Sequence, residues 1–306
     1  MKHLFKSGHS TLLNQELTQK LTQKLTQKLT QMRKISCSIS MLLSVLLSPS
    51  LLAHEKHATA TYLANEGVLI SVGEHKVLFD PFFHNDYGTY QLVPDEILNA
   101  VMNNTEPYND IEAIFVSHAH GDHFAAEDVL AYMLKYKNVK LVAPDQAIDK
   151  LKVLAGFADI TLRITSIELE YGDAPISFEV GKIKVDSVRI PHAGWPGRAE
   201  VSNLVYRVTL PYSKETLSFM HMGDADPNDK HFRPLSAFWE AQETNVAFPP
   251  YWFFLSNTGK YILDYRINTK HSIGVHVPME VPTPLILSEK PYFSTPGEVF
   301  TLTDHL

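Results

Sequence analysis

The chain has 306 residues, 44% of them hydrophobic and 20% charged, with a formal net charge of −7. That length suits one large domain or two small ones with a sizeable core, and the acidic balance excludes a broad nucleic-acid surface, which needs an excess of Lys and Arg. A single cysteine, Cys37, excludes an internal disulfide and a thiolate metal cluster.

In chain order, residues 1–53 do not read as fold. From Leu17 to Gln31 a Leu-Thr-Gln-Lys unit repeats. On a helix, Leu17, Leu21, Leu25 and Leu29 would form a drifting apolar stripe beside Lys20, Lys24 and Lys28. Residues 1–31 are expected to be a low-complexity leader outside the fold, with an amphipathic arm as the alternative. From Met32 the pattern changes. Arg33 and Lys34 give a charged start, Met41 to Leu52 a short apolar run, and Ser48, Ser50 and Ala53 the small residues after it. This is the layout of a signal peptide over residues 32–53, cleaved after Ala53 or Ser50. It predicts a periplasmic or secreted protein. An uncleaved anchor is the alternative, although the run is short for a membrane span.

Nothing between His54 and Leu306 divides the rest, so 54–306 is expected to be one domain. Clusters of β-branched and aromatic residues between turn residues predict strands at Ala60–Leu63, Gly67–Val72, Lys76–Phe79, Ala113–Ser117, Val139–Ala143, Ile176–Val180, Ile183–Ile190, Leu204–Leu210, Leu217–Met222, Val246–Phe248, Ser272–Val275 and Val299–Leu302. Helical periodicity appears at Pro94–Met102, Ala125–Tyr136, Asp145–Leu154, Leu235–Gln242 and Thr258–Thr269. Strand clusters separated by helices predict an α/β sandwich with mixed sheets. Phe82 to Asp110 is a long connection, of the kind that often serves as a lid.

The chemistry concentrates after the strand that starts at Ala113. His118, His120, Asp122 and His123 follow one another within six positions. Period two lets residues 118 and 120 share a side. Gly121 would permit a tight turn that brings Asp122 and His123 round to face them. Imidazoles and a carboxylate converging on a small volume suit Zn²⁺, and also Fe or Mn. One histidine at a strand end is ordinary. Four such groups at a buried edge would be costly without a shared ligand.

This His-x-His-x-Asp-His pattern resembles the signature of the metallo-β-lactamase superfamily. Its other motifs follow in order as Asp80 after Val77-Leu78-Phe79, His192 in Pro191-His192-Ala193-Gly194, Gly223-Asp224 after a strand, and His276 in Val275-His276-Val277. The resemblance implies a four-layer αββα sandwich of two mixed β-sheets with the metals at one edge. It implies His118, His120 and His192 on a first ion, Asp122, His123 and His276 on a second, Asp224 bridging, and Asp80 orienting a ligand loop. Asp226 competes with Asp224 for its role, and His271 with His276. His221 reads as strand packing or as a residue behind the ligands.

Two ions, most naturally zinc with Mn or Fe as alternatives, would supply a shared hydroxide at neutral pH, and Asp122 would accept its hydrogen bond and aim it. The expectation is a secreted metal-dependent hydrolase of a small-molecule ester, lactone or phosphodiester. The resemblance implies Cys, or no bridge, at position 224 in true β-lactamases, so Asp224 moves the reading away from antibiotics. An iron-binding oxidoreductase and a non-catalytic scaffold are the other readings. Leu63 to Ile70 with Asp80-Pro81 looks like the branch of ascorbate-phosphate lactonases and the phospholipase D of N-acyl ethanolamine lipids. Phe82, Phe83, His84, Tyr87, Tyr90, Trp195, Arg198, Tyr251 and Trp252 are candidates for a pocket lining. For Phe253 and Phe254, core packing is the expectation.

Overall fold

The computed structural model describes residues 18–30 and 58–302. The signal-peptide reading of residues 32–53 falls outside them. Residues 18–30 form an exposed helix, α1, in a unit separate from Lys56–Leu306. In it, Thr22, Thr26 and Thr30 each donate a hydroxyl to the carbonyl four residues back. Its Leu21, Leu25 and Leu29 all lie exposed. Among the described residues no helix is long and apolar enough to cross a membrane.

The second unit contains two mixed sheets. The first runs β13-β1-β2-β3-β4-β5-β6, built from β1 (Thr59–Ala64), β2 (Gly67–Val72), β3 (His75–Phe79), β4 (Ala113–Phe115), β5 (Lys140–Pro144), β6 (Ile164–Ile167) and β13 (Val299–Thr301). The second runs β12-β11-β10-β9-β8-β7, from β7 (Ile176–Val180), β8 (Ile183–Arg189), β9 (Leu204–Tyr212), β10 (Glu215–His221), β11 (Thr244–Phe248) and β12 (Thr269–Ser272). Period-two alternation sorts their side chains into layers. Val77, Phe79, Ala113 and Phe115 meet Tyr206, Phe219, Val246 and Phe248 between the sheets. Leu78, Ile114 and Leu141 face outward to α2 (Asp95–Met102), α3 (Ala126–Lys135) and α4 (Asp145–Lys152). On the other side Val205, Met220 and Ala247 face α5 (Asp229–Phe232), α6 (Ser236–Glu240) and α7 (Asn257–Tyr261) with Phe232, Trp239, Phe253 and Phe254. The result is the expected αββα sandwich.

Strand direction gathers the chemistry at one edge. β3 and β4 run parallel in one sheet, and β10, β11 and β12 run parallel in the other. β8 and β10 both pair antiparallel with β9, so they point the same way. The loops leaving β3, β4, β8, β10 and β12 carry Asp80, residues 118–123, His192, Asp224 and His276 in turn.

Several elements differ from expectation. The strand expected at Ser272–Val275 pairs earlier, as β12 at Thr269–Ser272. Beyond it Ile273 and Val275 still donate to Ala247 and Pro249, while Gly274 turns toward Pro291. The helix expected over Thr258–Thr269 is α7 followed by a π-helical segment, Ile262–Arg266. Sequence reasoning missed β6, a parallel edge strand with polar Thr165 and Ser166 at its centre, and the short helices α5 and α8 (Thr283–Ile286).

Candidate metal centre

Asp122, His123, His192, Asp224 and His276 are buried together with His118, while His120 is half-buried. His118, His120, His192 and Asp224 offer one group of donor atoms, and His123, Asp224 and His276 another. The two oxygens of Asp224 face different ways. Oδ2 lies 3.0 Å from His192 Nε2 and 3.9 Å from His118 Nε2. Oδ1 lies 3.0 Å from His276 Nε2 and 3.5 Å from His123 Nε2. His118 Nε2 and His120 Nδ1 are 3.1 Å apart. Asp122 Oδ2 stands 3.5 Å from both His123 Nε2 and His276 Nε2. All seven residues expected from the sequence therefore meet. Asp226 instead faces His231, at 3.6 Å, and His271 lies on the exposed β12.

The donor set fits divalent cations. Asp122 Oδ1 is buried without any hydrogen bond, and the buried oxygens of Asp224 meet only ring nitrogens, those of His192 and His276 at 3.0 Å each. Such groups left unmatched cost about 1–3 kcal/mol each. An ion between them would give these groups a shared partner.

Several other residues fix these donors. Asp80 accepts Ser117 N at 2.7 Å, Ser117 Oγ at 2.5 Å and His123 Nδ1 at 2.9 Å, which turns His123 Nε2 toward the cluster. Asn65, in the β1–β2 turn, donates Nδ2 to Asp122 O, and its carbonyl accepts His276 N, both at 2.8 Å. That bond holds His276 in the left-handed region at φ 59, a conformation that costs about 1–3 kcal/mol outside glycine. Asn203 donates to Ile190 O and Met222 O and accepts from Asp224 N, locking the His192 and Asp224 loops together. Gly223 is required, and Gly121 is closely fitted. At Gly223, with φ 52, a Cβ would strike Asn203 Oδ1 and Ser117 Cβ. Gly121 has no left-handed φ. A Cβ there would press on Asn85, whose N–H bonds Gly121 O.

Ser117, Asn65 and Asn203 were not singled out from sequence, and neither was Glu66. The available signal was a short polar residue placed at the end of an apolar strand or inside the first hairpin. Glu66 is fully buried beneath the cluster with His221, whose Nε2 donates to Glu66 O at 2.9 Å and whose ring stacks on Phe79.

Without an ion the charges are uneven. Burial, then repulsion from His123, pushes His118 well below the usual imidazole range. Burial and His192 lower His120 to about 4. Burial opposes a charge on His123 and His276, but Asp224 and Asp122 outweigh it. His276 rises to about 9, and His123 rises well above its usual value. Burial likewise opposes ionisation of Asp122 and Asp224, yet these imidazoles hold both well below the usual carboxylate range. Glu66 is the reverse, raised well above that range by burial that the pull of His123 does not offset.

Around the cluster, part of the expected aromatic lining belongs to the core. Phe82 and Phe83 are buried, with Phe82 tilted against Tyr132. Phe253 and Phe254 are core, as expected. His84 pairs with Asp128, and Tyr87 and Arg198 are exposed. Trp195 packs on Tyr171 and His231. Tyr90 and Trp252 are the aromatics against a cluster residue, their ring centroids 4.0 and 5.2 Å from that of His276.

The chain belongs to the beta-lactamase superfamily, whose domain model matches residues 59–238. It is similar in fold to a crystal structure described as a possible metal-dependent hydrolase from Veillonella parvula, with TM-score 0.54 and 13% identity over 80% of this chain and 99% of that one. It is also similar to Igni18, a metallo hydrolase from the hyperthermophilic archaeon Ignicoccus hospitalis, with TM-score 0.51 and 13% identity over 79% of this chain and 97% of that one. The search of curated proteins found no match. Family and donor clusters together support a metal-dependent hydrolase of the metallo-β-lactamase superfamily, with clusters suited to divalent metal.

Proposed function

We propose that this hydrolase is dinuclear and cleaves a small-molecule ester, lactone or phosphodiester. His118, His120 and His192 would hold one ion, Asp122, His123 and His276 the other, and Asp224 would touch both. The observation that carries this reading is the Asp224 carboxylate, with one oxygen toward His192 and the other toward His276, at 3.0 Å each. Zinc is the ion we favour, because imidazole and carboxylate in small number suit it. A divalent ion lowers the pKa of bound water from 15.7 to about 7, so hydroxide is available near neutrality.

The protein's own groups do the rest. Asp122 Oδ1, buried and without a partner, accepts a proton's hydrogen bond from the attacking water and fixes its direction. Asp80 and Asn65 hold His123 and His276 so that ligand geometry survives each turnover. Asp224 in place of a thiolate favours oxygen-ester chemistry over β-lactam hydrolysis. The leader-like residues 32–53 support a periplasmic or secreted location. The test is a panel of p-nitrophenyl phosphodiesters, acyl esters, lactones and a cephalosporin. Zinc-loaded protein should hydrolyse an ester, lactone or phosphodiester, lose that activity to a chelator and regain it with zinc. Hydrolysis of the cephalosporin alone, or activity indifferent to chelation, contradicts the proposal.

A further inference from the structure

Tyr90 is held at the rim of the cluster by its backbone. Tyr90 N donates to Asp86 O, Met279 N donates to Thr89 O beside it, and Gln91 Nε2 on its other side reaches Ser294 O at 2.7 Å. Its ring stands edge-on to His276 at 89° and is half-buried. The hydroxyl lies within electrostatic reach of Asp224, Asp122, Glu66 and Tyr251. It makes no hydrogen bond among the described residues. A phenol in that setting is an unspent donor beside His276. Phe would fill the same space against His276, so packing alone does not require the oxygen.

We infer that the Tyr90 hydroxyl is a catalytic hydrogen-bond donor that grips the substrate's scissile carbonyl or phosphoryl oxygen as negative charge develops on it. This rests on the hydrolase reading above. Tyr90 transfers no proton and forms no bond to substrate. It supplies a fixed dipole where charge appears, which favours the transition state over the ground state.

The test compares zinc-loaded wild type with Tyr90→Phe, using inorganic phosphate as the probe of oxyanion binding and the hydrolysis panel as the probe of rate. Zinc content and melting temperature should match. Phosphate binding by calorimetry should weaken at least about tenfold, and kcat should fall at least about tenfold with KM little changed. Wild-type phosphate affinity and kcat in Y90F overturn the inference and leave the hydrolase reading standing. Loaded wild type that hydrolyses nothing sinks the hydrolase reading, and the phosphate comparison still decides whether the hydroxyl meets an oxyanion. Phosphate that binds neither protein overturns the inference as well.

Discussion

Asp224→Asn isolates the charge of the residue that joins the two donor groups. Asparagine keeps the shape and one carbonyl oxygen, but replaces the other oxygen with an amide that cannot ligate. Asp224 N would still reach Asn203 Oδ1, and Gly223 would keep its turn, so the loop should hold. What disappears is the anion that stands 3.0 Å from His192 on one side and 3.0 Å from His276 on the other. Removing a partner one layer behind a metal ligand already costs about 10–100-fold in affinity. A ligand facing both ions should cost more, so we expect a loss of about 100-fold or greater, or about 2.7 kcal/mol. Dialysed protein titrated with zinc against a chromophoric chelator measures this directly. Asp226→Asn, beside His231 rather than the cluster, should bind zinc as wild type does. If D224N takes up two ions with wild-type affinity, the bridging assignment is wrong.

Two further outcomes follow from the groups around the ligands. Asp80→Ala strips partners from Ser117 N, Ser117 Oγ and His123 Nδ1; urea denaturation of metal-free protein should show a loss of about 3 kcal/mol or more, and a loss under 1 kcal/mol would contradict its anchoring role. The metal-free protein should also be pH-sensitive. His276 at about 9 sits above its unfolded value of about 6.5, so its stabilisation is full below about 6.5 and is lost as pH rises through about 9. His123 acts in the same direction. Asp122 and Asp224 are lowered, so their contribution is present above about 3.9 and is lost only as pH falls below it. With chelator present, stability should therefore decline between pH 6.5 and 9, and bound zinc should flatten the decline. Rising stability over that interval would refute the charge assignment.

The sandwich was legible because its strands alternate or run apolar with short turns between them. Gly67–Val72 and Ile176–Val180 begin and end where their residues predict. The candidate ligands were legible for another reason. His118 to His123 are neighbours in sequence, and His192, Asp224 and His276, each a short way past a predicted strand, were picked out by the resemblance to the metallo-β-lactamase superfamily. What could not be read depends on meetings between distant segments. Asn65 matters because Asp122, 57 residues away, comes to lie against it. Asn203 matters because two strands end beside it. Phe82 and Phe83 look like pocket lining in a long connection, yet the return of that connection onto Phe124 and α3 buries them. Strand β6 escaped notice because an edge position tolerates the polar residues that break an apolar pattern.

The central claim is a two-ion centre joined by Asp224. Anomalous X-ray diffraction from a zinc-loaded crystal tests it most directly. The account predicts two zinc peaks about 3.5–4 Å apart, one against His118, His120 and His192 and the other against Asp122, His123 and His276, with one Asp224 oxygen on each. A single peak, or two peaks that Asp224 does not join, would contradict it.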